Sequence, residues 1–145
     1  MSWGTTGSGS GQFVVPHAIA LDSQGRVFVG DRMNNRIQIF SPHFRLLAVV
    51  GGQNVEGPIS LGALGGIAVS EEDELYVSDM DADQMVQIGT YSETDRRFGG
   101  YGYGGGRLRR PLGLAVGEKG EVYVCDSEND RIAIFDRLRM VGYKS

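Results

Sequence analysis

Few side chains in this sequence of 145 residues are suited to catalysis or metal binding. The sequence holds two histidines, at positions 17 and 43, and one cysteine. A catalytic zinc ion generally takes three protein ligands, and a thiol nucleophile needs a neighbouring base. His17 is therefore a single candidate metal ligand. Cys125, with no histidine in its own part of the sequence, is predicted to be a small buried side chain. We expect no catalytic residue, metal or cofactor.

The best candidate for binding is a segment rich in arginine and tyrosine between residues 96 and 110. Both residue types are enriched in protein interfaces, and together they can stack the bases of single-stranded nucleic acid. A plain loop, an interface with a protein or a second copy, and a nucleic-acid site are the three interpretations. We call these residues the Arg–Tyr segment: Arg96, Arg97, Tyr101, Tyr103, Arg107, Arg109 and Arg110.

The charge distribution disfavours nucleic acid as a partner of the whole chain. The net charge is −4, and residues 51–98 carry ten acidic residues and two arginines. This acidic middle is interpreted as a solvated face, with a cation site or a docking surface for a basic partner as the alternative. No apolar run approaches the roughly 20 residues of a membrane span. With one thiol and no secretory leader, we expect a cytoplasmic protein that does not contact a membrane.

The candidate residues are carried by three copies of one sequence unit. Residues 16–31, 64–79 and 111–126 align without a gap. Each unit contains four predicted strands, the first a continuous apolar run and the next two alternating in polarity. Four-stranded units with a period of 40–50 residues are typical of a β-propeller, with one unit per blade. We predict one domain over residues 1–145, with blades at about 10–52, about 57–98 and about 106–145.

Aspartate and arginine recur at fixed places in these units. An aspartate ends the second strand of every copy, and an arginine follows five residues later in the first and third copies. A catalytic residue is needed once, whereas a corner is needed in each blade, so we assign these residues to the scaffold. Their carboxylates are predicted to cap backbone N–H groups, and the arginines to pair with these carboxylates or to cover apolar surface. The residues are Asp31, Arg36, Asp79, Asp126 and Arg131.

The middle copy departs from the other two after its aspartate. No arginine follows Asp79 at the expected distance. The stretch from Asp79 to Ile88 therefore predicts a one-residue insertion relative to the other copies.

The repeated pattern resembles the NHL repeat. Its form is G-x-F-x-x-P-x-x-I-A-x-D-x-x-G-x-V-x-V-x-D-x-x-N-x-R-I-x-x-F, and residues 11–40 fit it almost throughout. The third copy fits with Leu108 for the phenylalanine and Gly117 for the first aspartate. The second copy departs most, at Leu64, Ser70 and Asp73.

The resemblance implies an all-β propeller, usually of six blades. Some NHL propellers are lyases with zinc-ligating histidines, and His17 stands at a place similar to theirs, directly after Pro16. Other NHL propellers bind RNA through a basic face, which the Arg–Tyr segment resembles.

Three blades make only half of a six-bladed ring. A blade has two apolar faces, so an arc of three leaves one apolar face at each end. We predict that two chains join head to tail about a twofold axis and close the ring; blades from a different chain are the alternative. The predicted function is a non-enzymatic scaffold for protein–protein interaction. A lyase- or hydrolase-type enzyme with a metal-assisted site in the central channel, and an RNA-binding propeller, are the competing functions.

Overall fold

The computed structural model describes residues 1–52, 59–89 and 95–136. Their regular structure is β-strand, apart from one short 3-10 turn at Ser127–Asn129. Two short parallel strands come first, β1 (Thr5–Thr6) and β2 (Gln12–Phe13). No helix among these residues is long and apolar enough to cross a membrane.

Blade 1 is a four-stranded antiparallel meander. Its strands in chain order are β3 (Pro16–Leu21), β4 (Val27–Asp31), β5 (Arg36–Phe40) and β6 (Leu46–Gly51). The first hairpin closes because the Asp22 carboxylate accepts two backbone N–H groups of the turn, each at 2.9 Å. Gly25 adopts a φ of +76° in the same turn, a conformation that favours glycine.

Blade 2 repeats this meander with β7 (Leu64–Val69), β8 (Leu75–Asp79), β9 (Gln84–Ile88) and β10 (Asp95–Gly99). Asp79 pairs with Gln84 across the turn, with the same spacing as Asp31 and Arg36 in blade 1. The predicted one-residue insertion is therefore wrong. Asp83 takes the left-handed turn position, with φ 53°, that an asparagine occupies in blade 1, so the turn keeps its length.

Blade 3 contains β11 (Pro111–Val116), β12 (Val122–Asp126) and β13 (Arg131–Phe135). The fourth strand that the repeat predicts near residues 139–144 lies outside the described residues. The all-β class and the radial arrangement of the sheets are confirmed: β7 lies between β3 and β11, so the first strands of the three blades are neighbours at a common inner edge.

The hydrophobic core lies between the blades. Each blade has a forward face toward the next blade in the sequence and a reverse face toward the previous one. The forward face of blade 1 packs on the reverse face of blade 2 through side chains that include Phe28, Ile37, Ile39, Ile67, Leu75 and Val77. Blades 2 and 3 meet through Tyr76, Met85, Phe98, Leu108, Val122, Val124 and Phe135. Burial on both faces explains why the inner strands are continuous apolar runs.

The N-terminal segment covers the outer part of the reverse face of blade 1. Trp3 packs on Phe40 with ring centroids 4.6 Å apart, as Phe98 packs on Phe135 at 5.0 Å. Trp3 and Phe98 are repeat counterparts, as are Phe40 and Phe135. Trp3 therefore stands where the outer strand of a preceding blade would place an aromatic ring.

Candidate functional site

The end of each blade where the second strand turns into the third, here called the corner, is held by a buried aspartate. In each case the carboxylate accepts the backbone N–H of the segment that enters the blade, always from the same repeat position. The N···O distances are 2.9 Å from Val14 to Asp31, 3.1 Å from Gly62 to Asp79 and 2.7 Å from Arg109 to Asp126.

In blades 1 and 3, an arginine five residues after the corner aspartate donates hydrogen bonds to the entering segment as well. Arg36 donates three hydrogen bonds of 2.7–2.9 Å to carbonyl oxygens within residues 8–12. Arg131 donates to the carboxylate of Asp126 at 2.8 Å and to the carbonyl oxygen of Arg107 at 2.9 Å. These contacts are intramolecular and structural in kind.

Blade 2 takes its corner arginine from a different strand. Gln84 occupies the usual arginine position, and Arg97 on β10 donates instead to Asp79 at 3.3 Å. Arg97 also donates to the carbonyl oxygen of Ser60, the repeat position that the other two arginines bind. Comparison of the copies position by position missed this, because the guanidinium arrives from a non-equivalent residue.

Two tyrosines of the Arg–Tyr segment stand exposed at the corner of blade 3. Tyr101 is 69% exposed and Tyr103 is 70% exposed. The Arg109 guanidinium carbon lies 5.5 Å from the centre of the Tyr101 ring, and that of Arg131 lies 4.8 Å from the centre of the Tyr103 ring. Such cation–π contacts contribute about 0.5–1 kcal/mol at exposed sites, so they favour a fixed ring orientation.

The remaining arginines of the segment are spread over the surface. Arg110 is exposed, and its backbone N–H donates to Asp83 at 2.7 Å. Arg107 is half-buried near the same corner. Arg96 is exposed on β10, opposite Gln87 and away from the corner end of that strand. We call the two tyrosines and the arginines that contact their rings the corner patch: Tyr101, Tyr103, Arg109 and Arg131.

His17 lies in β3, the inner strand of blade 1. Its Nδ1 atom is 3.4 Å from the carbonyl oxygen of Val15, and its Nε2 atom is buried with no hydrogen-bond partner. Within the described ranges, no group of three or more histidine, cysteine, aspartate or glutamate side chains could hold a metal ion. The described residues therefore provide no ligand set around His17.

Cys125 is exposed, so the predicted burial of this side chain is wrong. Its repeat counterpart Ser78 is buried between blades 2 and 3, where its hydroxyl donates to the carbonyl oxygen of Leu112 at 2.6 Å. The position is covered only where a following blade packs on it. No described residue follows blade 3 on that side.

The two end faces of the arc expose apolar side chains that are buried at the internal junctions. On the forward face of blade 3, Ile132 is 60% exposed, and its counterparts Ile37 and Met85 are fully buried. On the reverse face of blade 1, Ile19 is 67% exposed, and its counterpart Ile67 is buried. Tyr123 and Ile134 extend the first surface, and Leu21 extends the second.

A cleft of about 370 Å³ opens between blades 1 and 2, at the end of the blades opposite the corners. Its floor is apolar and its rim carries charged side chains. The lining residues are Arg26, Phe28, Ile39, Glu72, Asp73, Glu74, Leu75, Ile88 and Gly89.

Asp73 at this rim links the two blades. Its carboxylate accepts the hydroxyl of Ser23 at 2.5 Å and the backbone N–H of Ser23 at 2.8 Å. These hydrogen bonds, the hydroxyl first, lower the pKa of Asp73 below its ordinary value of 3.8. Asp73 stands at the position of the turn glycine in the other blades and keeps a positive φ of 62°.

Comparison with known proteins agrees with the repeat pattern. The family model described as NHL repeat matches residues 13–40 and 108–135, in blades 1 and 3. The chain is 28% identical over 143 residues to Protein brain tumor of Drosophila melanogaster, covering 98% of this chain and 13% of that protein. It is 54% identical over 37 residues to NHL repeat-containing protein 3 of Homo sapiens, covering 26% of this chain and 11% of that protein.

Solved propeller-type structures share the fold. A streptogramin B lyase structure superposes with a TM-score of 0.63 at 16% identity, over 84% of this chain and 37% of that chain. At this identity the likeness concerns the fold alone. The chain thus spans less than half of that structure and about an eighth of the curated relatives. The chain contains two segments that match the NHL repeat, residues 13–40 and 108–135, within radiating sheets of the β-propeller type.

Proposed function

We propose that this protein is a non-enzymatic protein–protein interaction scaffold that joins a second copy of itself into a closed six-bladed ring. The exposure of the two end faces carries the proposal. Ile132 and Ile19 stand open to solvent at positions that the internal junctions bury. Large apolar patches on a surface mark interaction sites.

The internal junctions show what a junction between two copies requires. The forward face of blade 3 carries Tyr123 where blades 1 and 2 carry Phe28 and Tyr76, which pack on the next blade. On the reverse face of blade 1, Ile19 likewise keeps the apolar type of its counterpart Ile67. Forward against reverse is a heterologous contact that closes after two copies if the ring has six blades. Each junction is on the order of the ~800 Å² per partner of a standard interface.

The mass of the protein in solution tests this proposal. Size-exclusion chromatography with light scattering is expected to give twice the chain mass of 15.7 kDa. Alkylation of Cys125 is expected to slow as the protein concentration rises, because this thiol lies within the proposed junction. A single species of 15.7 kDa at high concentration, with a fully reactive thiol, would contradict ring closure.

The corner patch supports a second candidate function, the binding of single-stranded RNA. Two exposed tyrosines backed by guanidinium groups match the chemistry that stacks bases and contacts phosphates. A shift assay with a short single-stranded RNA at low salt tests it. Binding that weakens with salt and is lost in the Tyr101→Ala/Tyr103→Ala variant supports this function. No binding at low salt removes it and leaves the corner patch as a contact site for protein.

A further inference from the structure

Two exposed tyrosine rings stand on an ordered part of the corner of blade 3. The backbone on both sides of Tyr101 is held by hydrogen bonds to Leu108, which is fully buried. Leu108 donates its backbone N–H to the carbonyl oxygen of Gly100 at 2.8 Å, and its own carbonyl oxygen accepts the N–H of Gly102 at 3.1 Å. The Tyr101 and Tyr103 rings are thus presented by backbone that is in place before a partner arrives, which lowers the entropy cost of binding.

The loop that carries the two rings has few other side chains. Residues 100, 102, 104, 105 and 106 are all glycine. A Cβ atom built on Gly104 would meet no atom of the described residues within 4 Å, so the surface beside Tyr103 is open. A ligand can therefore reach the rings without displacing a neighbouring side chain.

The same loop offers hydrogen-bond donors that the fold does not use. Neither the Tyr101 nor the Tyr103 hydroxyl has a hydrogen-bond partner among the described residues. Arg107 runs alongside Tyr101: a Cβ built on Gly102 would lie 3.1 Å from Cγ of Arg107, and one built on Gly100 would lie 3.0 Å from its Nη1. The Arg107 guanidinium makes no hydrogen bond to a described residue. Aromatic rings and unused O–H and N–H donors thus occur together.

The charges of the corner patch are largely balanced by carboxylates. Arg131 pairs with Asp126 at 2.8 Å, and Arg109 lies 3.8 Å from Glu128. The chain as a whole has a net charge of −4. These carboxylates repel a polyanion and compete with it for the guanidinium groups. A neutral ligand that is rich in hydrogen-bond acceptors is therefore favoured over single-stranded RNA at this place.

A proline-rich polypeptide segment has this chemistry. In the polyproline II conformation its pyrrolidine rings pack on aromatic side chains, and its carbonyl oxygens face outward as acceptors. Proline has no backbone N–H, so the segment needs few acceptors from the surface that binds it. Proline-rich chains adopt this conformation already in solution, so they lose little conformational entropy on binding.

We propose that the corner patch and Arg107 bind a proline-rich segment of a partner protein in the polyproline II conformation. The pyrrolidine rings pack on Tyr101 and Tyr103, and the tyrosine hydroxyls and Arg107 donate to the carbonyl oxygens of the segment. This inference rests on the proposed scaffold function and names the kind of partner. All the residues that it uses belong to one chain, so it does not depend on closure of the ring.

NMR titration of the isotope-labelled full chain with decaproline tests the proposal, with a glycine–serine peptide of the same length as the control. Decaproline is expected to shift the backbone amides of residues 100–103 and 107, with a Kd on the order of 100 μM. The control peptide should bind at least about tenfold more weakly, because it has neither the rings nor the preformed conformation. The affinity for decaproline should change less than about twofold between about 50 and about 500 mM salt, since this ligand is neutral.

Variants separate the contribution of the rings from that of the hydroxyls. Tyr101→Ala/Tyr103→Ala should weaken decaproline binding at least about tenfold. Tyr101→Phe/Tyr103→Phe keeps both rings and removes both donors, so it should weaken binding about threefold to tenfold. Thr6→Ala/Ser8→Ala changes the exposed residues at the same repeat positions of blade 1 and should leave the affinity unchanged.

Three results would overturn the proposal: no shifts of these amides at about 2 mM decaproline, equal binding of the two peptides, and undiminished binding by the double alanine variant of the tyrosines. Binding of single-stranded RNA without binding of decaproline would also overturn it and would assign the corner patch to nucleic acid. Light scattering separates this inference from ring closure. A protein of twice the chain mass that does not bind decaproline loses this inference alone, and a single chain that binds it loses the ring alone.

Discussion

At each of the three corners, one aspartate carboxylate accepts the same backbone hydrogen bond, although the surrounding residues differ. Asp31, Asp79 and Asp126 each accept a backbone N–H from the segment that enters the blade. The residues that donate these backbone N–H groups differ in side chain: Val14, Gly62 and Arg109. A backbone donor is present whatever the side chain, so the corner requires only the aspartate to stay the same.

Removal of one corner carboxylate should destabilise its blade strongly. Asp126→Ala leaves the N–H of Arg109 without its acceptor and removes one of the acceptors of the partly exposed Arg131 guanidinium, so we expect a loss of about 2–3 kcal/mol in unfolding free energy. Glu128→Ala removes an exposed carboxylate nearby, whose surface ion pair with Arg109 spans 3.8 Å, and is expected to cost at most about 1 kcal/mol. Urea unfolding measures both. Equal effects of the two substitutions would contradict the structural role.

The lowered pKa of Asp73 makes part of the stability depend on pH. Because the folded state favours the ionised carboxylate, this contribution is fully present above the ordinary value of 3.8 and is lost as the pH falls through the lowered pKa. Asp73→Asn, which tolerates the same positive φ, should therefore melt below the unmodified protein at about pH 6 and approach it in strong acid.

Thermal melts from about pH 6 down to pH 2.5 measure this difference in Tm. Ser23→Ala is the matched variant, because it removes the hydroxyl that is the first cause of the shift. It should reduce the acid dependence while Asp73 remains. A difference in Tm that does not change with pH would show that the hydrogen bonds do not favour the charged form.

At the scale of strands, blade 2 keeps the guanidinium at its corner but takes it from a different strand than blades 1 and 3 do. The guanidinium at its corner comes from Arg97 on β10 instead of the first residue of β9. Both strands run side by side in the sheet, and Gly99 on β10 lies opposite Gln84. A long arginine side chain from the neighbouring strand therefore reaches the same acceptors.

The role of Arg97 is testable by placing the arginine at position 84 instead, where the repeat of blades 1 and 3 has it. Arg97→Ala should cost about 1–3 kcal/mol, because the hydrogen bonds to Asp79 and Ser60 are lost. Adding Gln84→Arg in the same protein should recover most of that loss, since it restores the arrangement of blades 1 and 3. Arg96→Ala, the exposed neighbour, is the control and should be nearly neutral in urea unfolding. Failure of Gln84→Arg to recover stability would mean that the two arginine positions are not equivalent.

At the scale of the whole molecule, the reverse face of blade 1 and the forward face of blade 3 expose different amounts of apolar surface. The outer part of the reverse face of blade 1 is covered by Trp3, but its inner part exposes Ile19 and Leu21. The forward face of blade 3 exposes side chains from both β12 and β13. An apolar surface at each end, with counterparts buried inside, is what a head-to-tail junction needs.

A charge placed on the forward face of blade 3 should prevent association. Ile132→Glu buries an unpaired carboxylate in the proposed junction, so we expect the dimer mass to fall to that of the single chain in light scattering. Met33→Glu introduces the same charge at an exposed apolar residue in the corner turn of blade 1, outside the end faces, and should leave the mass unchanged. A dimer that survives Ile132→Glu would show that this face is not the contact.

The repeat, the strand order within each blade and the propeller class follow from the pattern of residues along the chain. Apolar periodicity and turn residues act over a few positions, so the corner role of Asp31 could be assigned from its neighbours alone. The one-residue insertion predicted after Asp79 is wrong. Aspartate can fill the turn position that asparagine fills in blade 1, so the residue types differ while the number of residues in the turn stays the same.

Which residues meet between strands and between blades follows from the packing of the sheets, and the residue pattern does not predict it. The role of Arg97, the exposure of Cys125 and the cleft beside Ile88 depend on what packs opposite each of them. The sequence of one repeat indicates which faces of its strands are apolar. Whether another blade covers such a face depends on how the sheets pack, because burial depends on which atoms are close in space and not on which residues are close along the chain.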